Sequence, residues 1–353
     1  MKTLTVALPG REYDILIERG LLCQTGAHLR AVLPGCGKIA LVSDSHVASL
    51  YADTVERSLQ AAGFEVRLFT VPAGEGSKCV SRLAELWDGF LEFGLTRSDG
   101  VVALGGGVVG DLAGFAAATV LRGVSFVQIP TTLLAQVDSS VGGKVAIDLK
   151  AGKILAGAFH QPRLVLMDPD VLDTLPDADF ADGMAEVIKY GCIADEEFLR
   201  FLKSHPSREQ IAAHIEGVLY TCCRIKGETV VEDERDTGKR MLLNFGHTLG
   251  HAYELAGNYE TCTHGQAVAA GMVRAAEIGV GLGVTPPYLA DLIRQLTGSF
   301  GLPSSLSCRK EDYAAAIGLD KKGTGEKISL ILLDKPGHAM AYQIKKSELL
   351  QLI

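Results

Sequence analysis

The stretch Val101-Val-Ala-Leu-Gly-Gly-Gly-Val-Val-Gly-Asp111 decides the fold, because it joins an apolar strand to a helix through a glycine-rich turn. Gly105, Gly107 and Gly110 match the G-x-G-x-x-G pattern in the strand–turn–helix context where that pattern has meaning. Glycines let the backbone approach a pyrophosphate, and a helix N-terminus offers free N–H groups and a positive dipole end. The turn is therefore a candidate phosphate-binding site in an α/β domain.

The acidic residue that usually accompanies this motif is missing. It stands about twenty positions further on and binds the ribose hydroxyls, whereas here that place reads Ile129-Pro-Thr-Thr132. Asp44, at the end of an earlier strand, and the polar loop Pro72–Lys78 are other groups that a dinucleotide can contact. Two interpretations stay open at this point: a dinucleotide site of unusual order, or a structural glycine turn.

The segments around this turn alternate between strand and helix patterns. Near-continuous apolar strands alternating with helices indicate a mostly parallel sheet covered on both faces, and ligands bind such sheets beyond the carboxyl ends of the strands. Strands are predicted at Tyr13–Ile17, Lys38–Ser43, Phe64–Val71, Gly100–Leu104, Val124–Ile129 and Leu164–Met167, and helices at Val47–Ala62 and Val80–Phe93.

Helical patterns dominate after Asp168-Pro-Asp170. We therefore predict two domains: a Rossmann-like α/β domain over residues 1–174 and a mainly α-helical domain over residues 175–353. The predicted helices are Asp179–Cys192, Asp195–Lys203, Arg208–Val230, Asn244–Leu255, Gly265–Leu282 and Pro287–Thr297, and the predicted strands are Lys327–Leu333 and Ala339–Ile344.

The composition limits the classes of protein to which this chain can belong. The 353 residues are 47% hydrophobic and 22% charged, as in a globular protein of about two domains. Acidic residues outnumber basic ones by 42 to 34, which argues against nucleic acid or an anionic membrane as the main partner. The eight cysteines form no C-x-x-C pair, so free thiols in a reducing cytoplasm are the simplest interpretation. The apolar stretch Val101–Leu121 is interrupted by Asp111 and glycines, so it is not predicted to span a membrane.

A histidine pair in Asn244–His251 has the spacing of metal ligands. His247 and His251 are four residues apart, on one face of a helix, and His264 follows. Neutral imidazole is a common metal ligand, and His-x-x-x-His on a helix can hold zinc. A surface or helix-end histidine pair is the alternative. Glu186 with His247 and His264 would make a His₂Glu set, which catalytic zinc sites use while keeping one position open.

Further charged side chains indicate an anionic substrate. Glu186 and Lys189 are three residues apart on one helix face. A solvated salt bridge is the simpler interpretation of that pair, but its apolar neighbours favour a pocket. Cations and acids that can join such a site are Asp138, Lys144, Lys153, Lys226 and Arg240.

Five blocks, in order and spacing, together resemble the 3-dehydroquinate synthase family: Pro72–Lys78, Gly105–Asp111, Pro130–Lys144, Gly183–Gly191 and Leu243–His251. The similarity covers nearly the whole chain, and the long Pro130–Lys144 block is very specific. It implies a dehydroquinate synthase-like fold, in which an N-terminal α/β domain binds NAD and a mainly helical C-terminal domain carries a divalent metal, with catalysis in the cleft.

The resemblance also implies roles for individual residues. Glu186, His247 and His264 would bind the metal, zinc or cobalt, which leaves His251 near the substrate's phosphate. Arg122 resembles an arginine that reaches the neighbouring subunit's site, which implies a homodimer. The implied NAD contacts are Asp44, Gly74, Glu75, Lys78, Gly106, Gly107, Val108, Val109, Gly110, Asp111, Thr131, Thr132, Lys144, Lys153 and Thr174. The implied catalytic and substrate-binding residues are Asp138, Lys144, Lys189, Lys226, Arg240, Asn244 and His251, together with Lys321 or Lys322.

The family's reaction suits these residue types. Its substrate is 3-deoxy-D-arabino-heptulosonate 7-phosphate, from which NAD takes a hydride at C5, so that the C6 proton becomes acidic. Phosphate then leaves by β-elimination, the same NADH reduces the ketone, and an aldol step closes the ring of 3-dehydroquinate. The metal would hold the reacting hydroxyls and polarise the ketone, and NAD would be regenerated in each turnover. This is the second step of the shikimate pathway.

Four features depart from the family's pattern. Ile154 stands where an asparagine commonly follows the lysine, and the segment 145–152 also differs from the usual sequence. Asp179 and Asp236 replace usual glutamates. The change at Ile154 removes a polar group expected near the substrate ring, for which Asp148 or water would have to compensate.

Three alternatives share parts of the pattern. One is another sugar-phosphate cyclase, such as an enzyme that makes 2-deoxy-scyllo-inosose; Lys226 and Arg240 instead favour a substrate with a carboxylate. A metal-dependent polyol dehydrogenase is the second, and the block Val137–Lys144 argues against it. The third is a non-catalytic regulator that binds metal and NAD, which the full set of ligands and cations disfavours.

Overall fold

The computed structural model describes residues 1–150, 152–257, 261–319 and 325–353. Those residues form two compact units. The first comprises Met1–Leu175 with Lys226–Val231, and the second comprises Pro176–Ile225 with Glu232–Ile353. Within the described residues, no helix has both the length and the apolar character needed to cross a membrane.

The first unit alternates strands and helices, as the apolar periodicity predicts. Its elements are β1 (Lys2–Val6), β2 (Tyr13–Ile17), α1 (Thr25–Val32), β3 (Lys38–Asp44), α2 (Ser45–Val47), α3 (Asp53–Ala61), β4 (Glu65–Val71), α4 (Val80–Glu92), β5 (Gly100–Gly105), α5 (Gly107–Thr119), β6 (Ser125–Pro130), β7 (Lys144–Leu149), β8 (Gly152–Phe159) and β9 (Leu164–Met167). β5 and β9 are buried along their whole length, as expected for apolar strands covered on both faces.

Seven strands form one sheet in the order β1-β2-β9-β6-β5-β3-β4. β1 pairs antiparallel with β2, and the other neighbouring pairs are parallel. The strand order reverses beside β3 and β5, which is where ligands bind in open α/β sheets. The register aligns the carboxyl ends of four strands: Asp44 pairs with Val71, and Gly105 pairs with Pro130. The loops that follow these strands therefore start at one edge.

A β-hairpin that the sequence patterns did not predict packs near α5. β7 and β8 pair antiparallel in a separate two-stranded sheet. Val145 and Ile147 of β7 join the core that includes Leu112 and Ala116 of α5. The contact is close at Gly114, where an added Cβ would lie 2.4 Å from Val145 Cγ1.

The second unit is mainly helical. Its elements are α6 (Asp177–Ala194), α7 (Glu196–Ser204), α8 (Arg208–Ala212), most of α9 (Ile215–Glu232), α10 (His247–Ala256), α11 (His264–Gly281), α12 (Pro287–Ser299), α13 (Lys310–Leu319), β10 (Lys327–Lys335), β11 (His338–Lys345) and α14 (Lys346–Leu352). β10 and β11 form an antiparallel pair. A parallel α/β unit and a helical unit confirm the predicted fold class.

Two predicted helices needed correction. The single helix Arg208–Val230 is wrong: α8 ends at Ala212, and α9 begins at Ile215. The break places the ring of His214 against Phe201 and His205, with centroids 5.5 and 5.0 Å apart. The helix predicted from Asn244 begins at His247, because Gly246 adopts a left-handed φ of 83° immediately before it.

Candidate metal centre and nucleotide-binding edge

Three side chains from three helices of the second unit converge. Glu186 lies in α6, and His247 and His264 are the first residues of α10 and α11. One potential ligand atom from each lies within 4.8 Å of the others. Nε2 of each histidine is 3.3 Å from Oε1 of Glu186. The three atoms thus surround one point, as a His₂Glu site requires.

The carboxylate of Glu186 is fully buried. Lys189 contacts it, and two imidazoles lie at ion-pair distance, yet neither oxygen has a well-aligned hydrogen bond within the described part of the chain. Burial alone would raise the pKa of Glu186, but Lys189 and His247 outweigh burial and hold the pKa well below its usual range. An ionised, buried carboxylate with unsatisfied lone pairs fits a bound cation.

His264 shows the same preference of the site for positive charge. Burial alone would lower its pKa, but the nearby carboxylates of Glu186 and Glu254 outweigh burial and raise the pKa to about 10. The carboxylates therefore hold a proton on His264 wherever no metal competes for the nitrogen. A divalent cation would supply the same charge at this point.

Glycines allow the helices of the cluster to approach each other. A Cβ on Gly271 of α11 would lie 2.1 Å from the carbonyl oxygen of Gly246, just before α10. A Cβ on Gly265 would lie 2.1 Å from the carbonyl oxygen of Asp182 in α6. The Asp182 side chain also accepts a hydrogen bond of 2.6 Å from the Gly265 N–H. These contacts fix the positions from which the ligands project.

His251 lies one turn after His247 but stays outside the three-residue cluster. Its side chain is exposed, and its ring meets the His247 ring edge-on with centroids 5.7 Å apart. The four-residue spacing therefore describes the helix face correctly without defining the ligand set. The role near a phosphate stays a prediction.

Two cations of the second unit are buried. Lys189 is 2% exposed and contacts Glu186, so this pair is not a solvated salt bridge. Arg240 is 4% exposed and donates to the carbonyl of Glu234 at 2.8 Å. No carboxylate pairs with the Arg240 guanidinium among the described residues, so a buried positive charge is left for an anion to neutralise. Asn244 ends a 3₁₀ turn at Lys239–Asn244.

The first unit carries its own buried ion pair, beside the glycine-rich turn. Lys78 Nζ lies 2.7 Å from the carboxylate of Asp111 in α5. Burial raises the pKa of Asp111 to about 6, against the pull of Lys78. Burial would lower the pKa of Lys78, but Asp111 and Glu75 outweigh it and raise that pKa. Glu75 lies 3.5 Å from Lys153, so four predicted NAD-binding residues form one charged group.

A second pair joins Lys226 to Asp138. Lys226 Nζ is 2.5 Å from the Asp138 carbonyl oxygen and 2.7 Å from its carboxylate. Lys226 is 5% exposed, although it lies in α9, far along the chain from Asp138. The structure thus brings together two residues that sequence analysis assigned to the substrate.

Asp44, Gly106, Thr131 and Thr132 lie at the aligned strand ends, and the other predicted residues of the first unit lie elsewhere. Asp44 accepts hydrogen bonds from the N–H groups of His46 and Val47, and Gly106 caps α5, which contains Gly107, Val108, Val109 and Gly110. The hydroxyl of Thr131 is buried without a hydrogen-bond partner among described residues, and that of Thr132 accepts from the Ala135 N–H. Gly74 has a φ of 106°, Lys144 is exposed at the start of β7, and Thr174 bonds to Tyr51. Arg122 follows Leu121 in a left-handed turn with φ values of 70° and 51°.

Two supporting residues escaped the sequence analysis. Glu254 lies 3.3 Å from Nδ1 of His264, and Asp182 anchors the first turn of α11. The signal for Glu254 was its position seven residues after His247, which is two turns along one helix face. Lys321 and Lys322 lie outside the described residues.

The chain is similar to known proteins in both sequence and fold. The model of the 3-dehydroquinate synthase N-terminal domain matches residues 68–182, and that of the C-terminal domain matches residues 183–323. A 3-dehydroquinate synthase of Clostridium beijerinckii is 47% identical over 340 residues, 96% of this chain and 97% of that protein. In fold, the chain resembles 2-deoxy-scyllo-inosose synthase complexed with carbaglucose-6-phosphate, NAD⁺ and Co²⁺ (TM-score 0.88, 24% identity, 99% of each chain). It also resembles 2-epi-5-epi-valiolone synthase from Streptomyces hygroscopicus with NAD⁺ and Zn²⁺ bound (TM-score 0.87, 26% identity, 98% of each chain).

Fold and cluster together define the class: a sugar-phosphate cyclase fold with a candidate site for one metal ion. Within that class, the two domain models and the whole-length relative are decisive. The chain belongs to the 3-dehydroquinate synthase family.

Proposed function

We propose that the chain is an enzyme with 3-dehydroquinate synthase activity, a carbon–oxygen lyase of the shikimate pathway. It converts 3-deoxy-D-arabino-heptulosonate 7-phosphate to 3-dehydroquinate and phosphate. The observation that carries this proposal is the cluster of Glu186, His247 and His264 in a chain that matches the family along almost its full length. The boundaries 1–174 and 175–353 mark the NAD-binding and metal-binding halves in this proposal.

The metal site in the proposal is the Glu186–His247–His264 cluster, which takes zinc or cobalt. The ionised Glu186 and two imidazole Nε2 atoms are a donor set suited to such ions. A divalent cation bound there supplies Lewis acidity, which lowers the pKa of a substrate hydroxyl and polarises a ketone. Lys189 keeps Glu186 ionised and ready to bind.

NAD binds to the first unit in the proposal, and it supplies the reversible hydride transfer. The first N–H groups of α5 fit a pyrophosphate, and the hydroxyl of Thr131, which has no hydrogen-bond partner among the described residues, fits the neighbouring ribose. Asp44, at the end of β3, is an acceptor for ribose hydroxyls. Lys153 and Lys78 add positive charge, and Glu75 and Asp111 hold them in place.

The remaining predicted residues bind the substrate. Arg240 and Lys226 recognise the carboxylate, because each is a buried cation with donors directed by a fixed partner. Asp138 orients Lys226. The phosphate end is assigned to Lys144, Asn244 and His251. We also infer a cytoplasmic homodimer in which Arg122, held in its left-handed turn, serves the neighbouring site.

The test is a coupled assay of phosphate release with divalent metal and less than one equivalent of NAD. Heptulosonate phosphate should give many turnovers, whereas glucose 6-phosphate, a phosphorylated sugar without a carboxylate, should give none. Absence of phosphate release from the heptulosonate would overturn the proposal, and preference for glucose 6-phosphate would favour the other cyclases.

A variant pair tests the carboxylate assignment. Arg240→Gln should reduce kcat/KM for the heptulosonate phosphate by about 30-fold or more, since losing one partner of a buried charge pair costs about 2 kcal/mol or more. Lys239→Gln is the matched control, because the neighbouring Lys239 is exposed and pairs only with Glu232 at the surface. Equal kinetics in both variants would contradict the assignment.

A further inference from the structure

The two histidines of the cluster are held by different acceptors. Nδ1 of His247 faces the carbonyl oxygen of Phe245 at 3.3 Å, and Nδ1 of His264 faces Oε1 of Glu254 at 3.3 Å. Both rings therefore present Nε2 towards Glu186. An imidazole that binds a metal through Nε2 keeps its proton on Nδ1, and an acceptor at Nδ1 selects that tautomer.

Glu254 is placed for this contact by α10. It lies seven residues after His247, so the two side chains leave the same face of the helix two turns apart. One helix thus provides a candidate ligand at its first residue and a carboxylate for the other histidine near its end. Glu254 is 7% exposed, and burying a carboxylate is costly unless it is paired.

The main chain at His264 is held separately. Asp182 accepts from the Gly265 N–H, and Thr263 forms a capping box with Gln266 at the start of α11. These bonds set the position of the helix end, but they leave the rotation of the His264 ring free. The contact with Glu254 acts on the ring itself, at the nitrogen opposite the one that faces Glu186.

We propose that Glu254 is a positioning residue for the metal centre. It holds His264 in the tautomer and orientation that direct Nε2 at the metal. This inference rests on the proposed function only in taking His264 as a ligand. Glu254 is not a member of the three-residue ligand cluster, so in this role it acts through His264. Its loss should weaken metal binding while leaving the fold of the metal-free chain intact.

Cobalt titration of the metal-free, full-length protein tests this without substrate or turnover. Co²⁺ reports both affinity and ligand geometry through its visible absorption. Glu254→Ala should weaken Co²⁺ binding by about 10–100-fold, the range for losing an outer partner of a ligand histidine. Glu254→Gln keeps an acceptor oxygen and should lie between Ala and the parent protein, which is the rescue expected of a positioning role. Glu254→Ala should also alter the absorption bands, because the His264 ring becomes free to turn, and Glu254→Gln should alter them less.

The matched control is Glu277→Gln. Glu277 lies on the same helix as His264 but pairs with Arg274 and Arg294, away from the cluster. It should bind Co²⁺ like the parent. Unchanged Co²⁺ affinity and an unchanged spectrum in Glu254→Ala would overturn the proposal. It would also be overturned if Glu254→Gln lost thermal stability without metal to the same degree as it lost Co²⁺ affinity. If the parent protein bound no Co²⁺, that result would instead contradict the metal site of the proposed function.

Discussion

Each unit buries one carboxylate against a lysine, yet the two pairs behave in opposite ways. In the first unit, Asp111 pairs with Lys78, and its pKa rises to about 6. In the second, Glu186 contacts Lys189, and its pKa falls well below the usual range. Burial acts in the same direction on both carboxylates, so the difference comes from the other neighbours.

Those neighbours differ in sign. Glu186 faces two imidazoles in addition to its lysine, whereas Asp111 has the negative charge of Glu75 nearby. The second unit thus brings an ionised carboxylate and two imidazole nitrogens around one point, a donor set that a cation can bind. The first unit balances charges beside a glycine-rich turn, where a helix begins and its main-chain N–H groups could bind an anion. The candidate metal site is built from side chains of distant helices, whereas the glycine-rich turn is a local run of backbone.

The largest effect should come from removing a ligand side chain. His247→Ala should abolish metal binding, well beyond the 10–100-fold loss of an outer partner, because only two donors remain. His251→Ala should retain the metal and lose catalytic rate. Metal content after dialysis and phosphate-release kinetics measure the two effects. Equal metal loss in both variants would show that His251 is a ligand.

Disrupting a contact between two helices should also break the cluster, although no ligand side chain is changed. Gly271→Ala places a methyl group 2.1 Å from the carbonyl oxygen of Gly246, so α10 and α11 must separate. We expect a loss of about 3 kcal/mol in the free energy of unfolding, at the upper end for an overpacked site, together with weaker Co²⁺ binding. Denaturant melts and cobalt titration measure these.

The control is Gly281→Ala at the other end of the same helix. Apart from the adjoining residues of the helix, no atom of the described part of the chain lies within 4 Å of the added Cβ there, so stability should stay the same or rise slightly. If Gly271→Ala were as stable as this control, the close approach of the two helices would not be needed for the cluster.

These contacts explain which parts could be predicted from sequence. Val101–Asp111 carries its strand, turn and helix in consecutive residues, so local patterns sufficed for the sheet and for the glycine-rich turn at its edge. The hairpin β7–β8 and the break before Ile215 depend on packing against distant residues, and local patterns missed them. His247 and His251 show the limit for the site: spacing located the helix face, but only the meeting of α6, α10 and α11 separates the cluster from its neighbour.

The pH dependence of stability sharpens the contrast between the two carboxylates. The pKa of Asp111 is raised from 3.8 to about 6, so the folded state holds this proton more tightly than the unfolded state does. Its contribution to stability is complete below about pH 4 and is lost as the pH rises through about 6. The shift corresponds to a contribution of roughly 3 kcal/mol.

Asp111→Asn should therefore remove part of the stability change between pH 4 and 6, as measured by urea unfolding at several pH values. Asp53→Asn is the control, since Asp53 is an exposed aspartate paired with Arg57. A parallel pH profile for the parent protein and Asp111→Asn would contradict the raised pKa.

The smallest effect should be a gain in stability at Ile154, close to the Lys78–Asp111 pair. Its N–H donates to Asp148 at 2.8 Å, and the N–H of Asp148 donates to the carbonyl of Lys78 at 2.8 Å. Ile154 has a φ of 58°, a conformation that costs a β-branched residue about 1–2 kcal/mol and that asparagine tolerates.

Ile154→Asn should raise the free energy of unfolding by about 1 kcal/mol, since it relieves this strain at a side chain that is 58% exposed. Ile154→Val keeps the β-branch and should give no gain, which separates strain from polarity. A gain confined to the asparagine variant would mean that the chain gives up stability for isoleucine beside the Lys78–Asp111 pair. The same stability in both variants would show that the backbone there is relaxed.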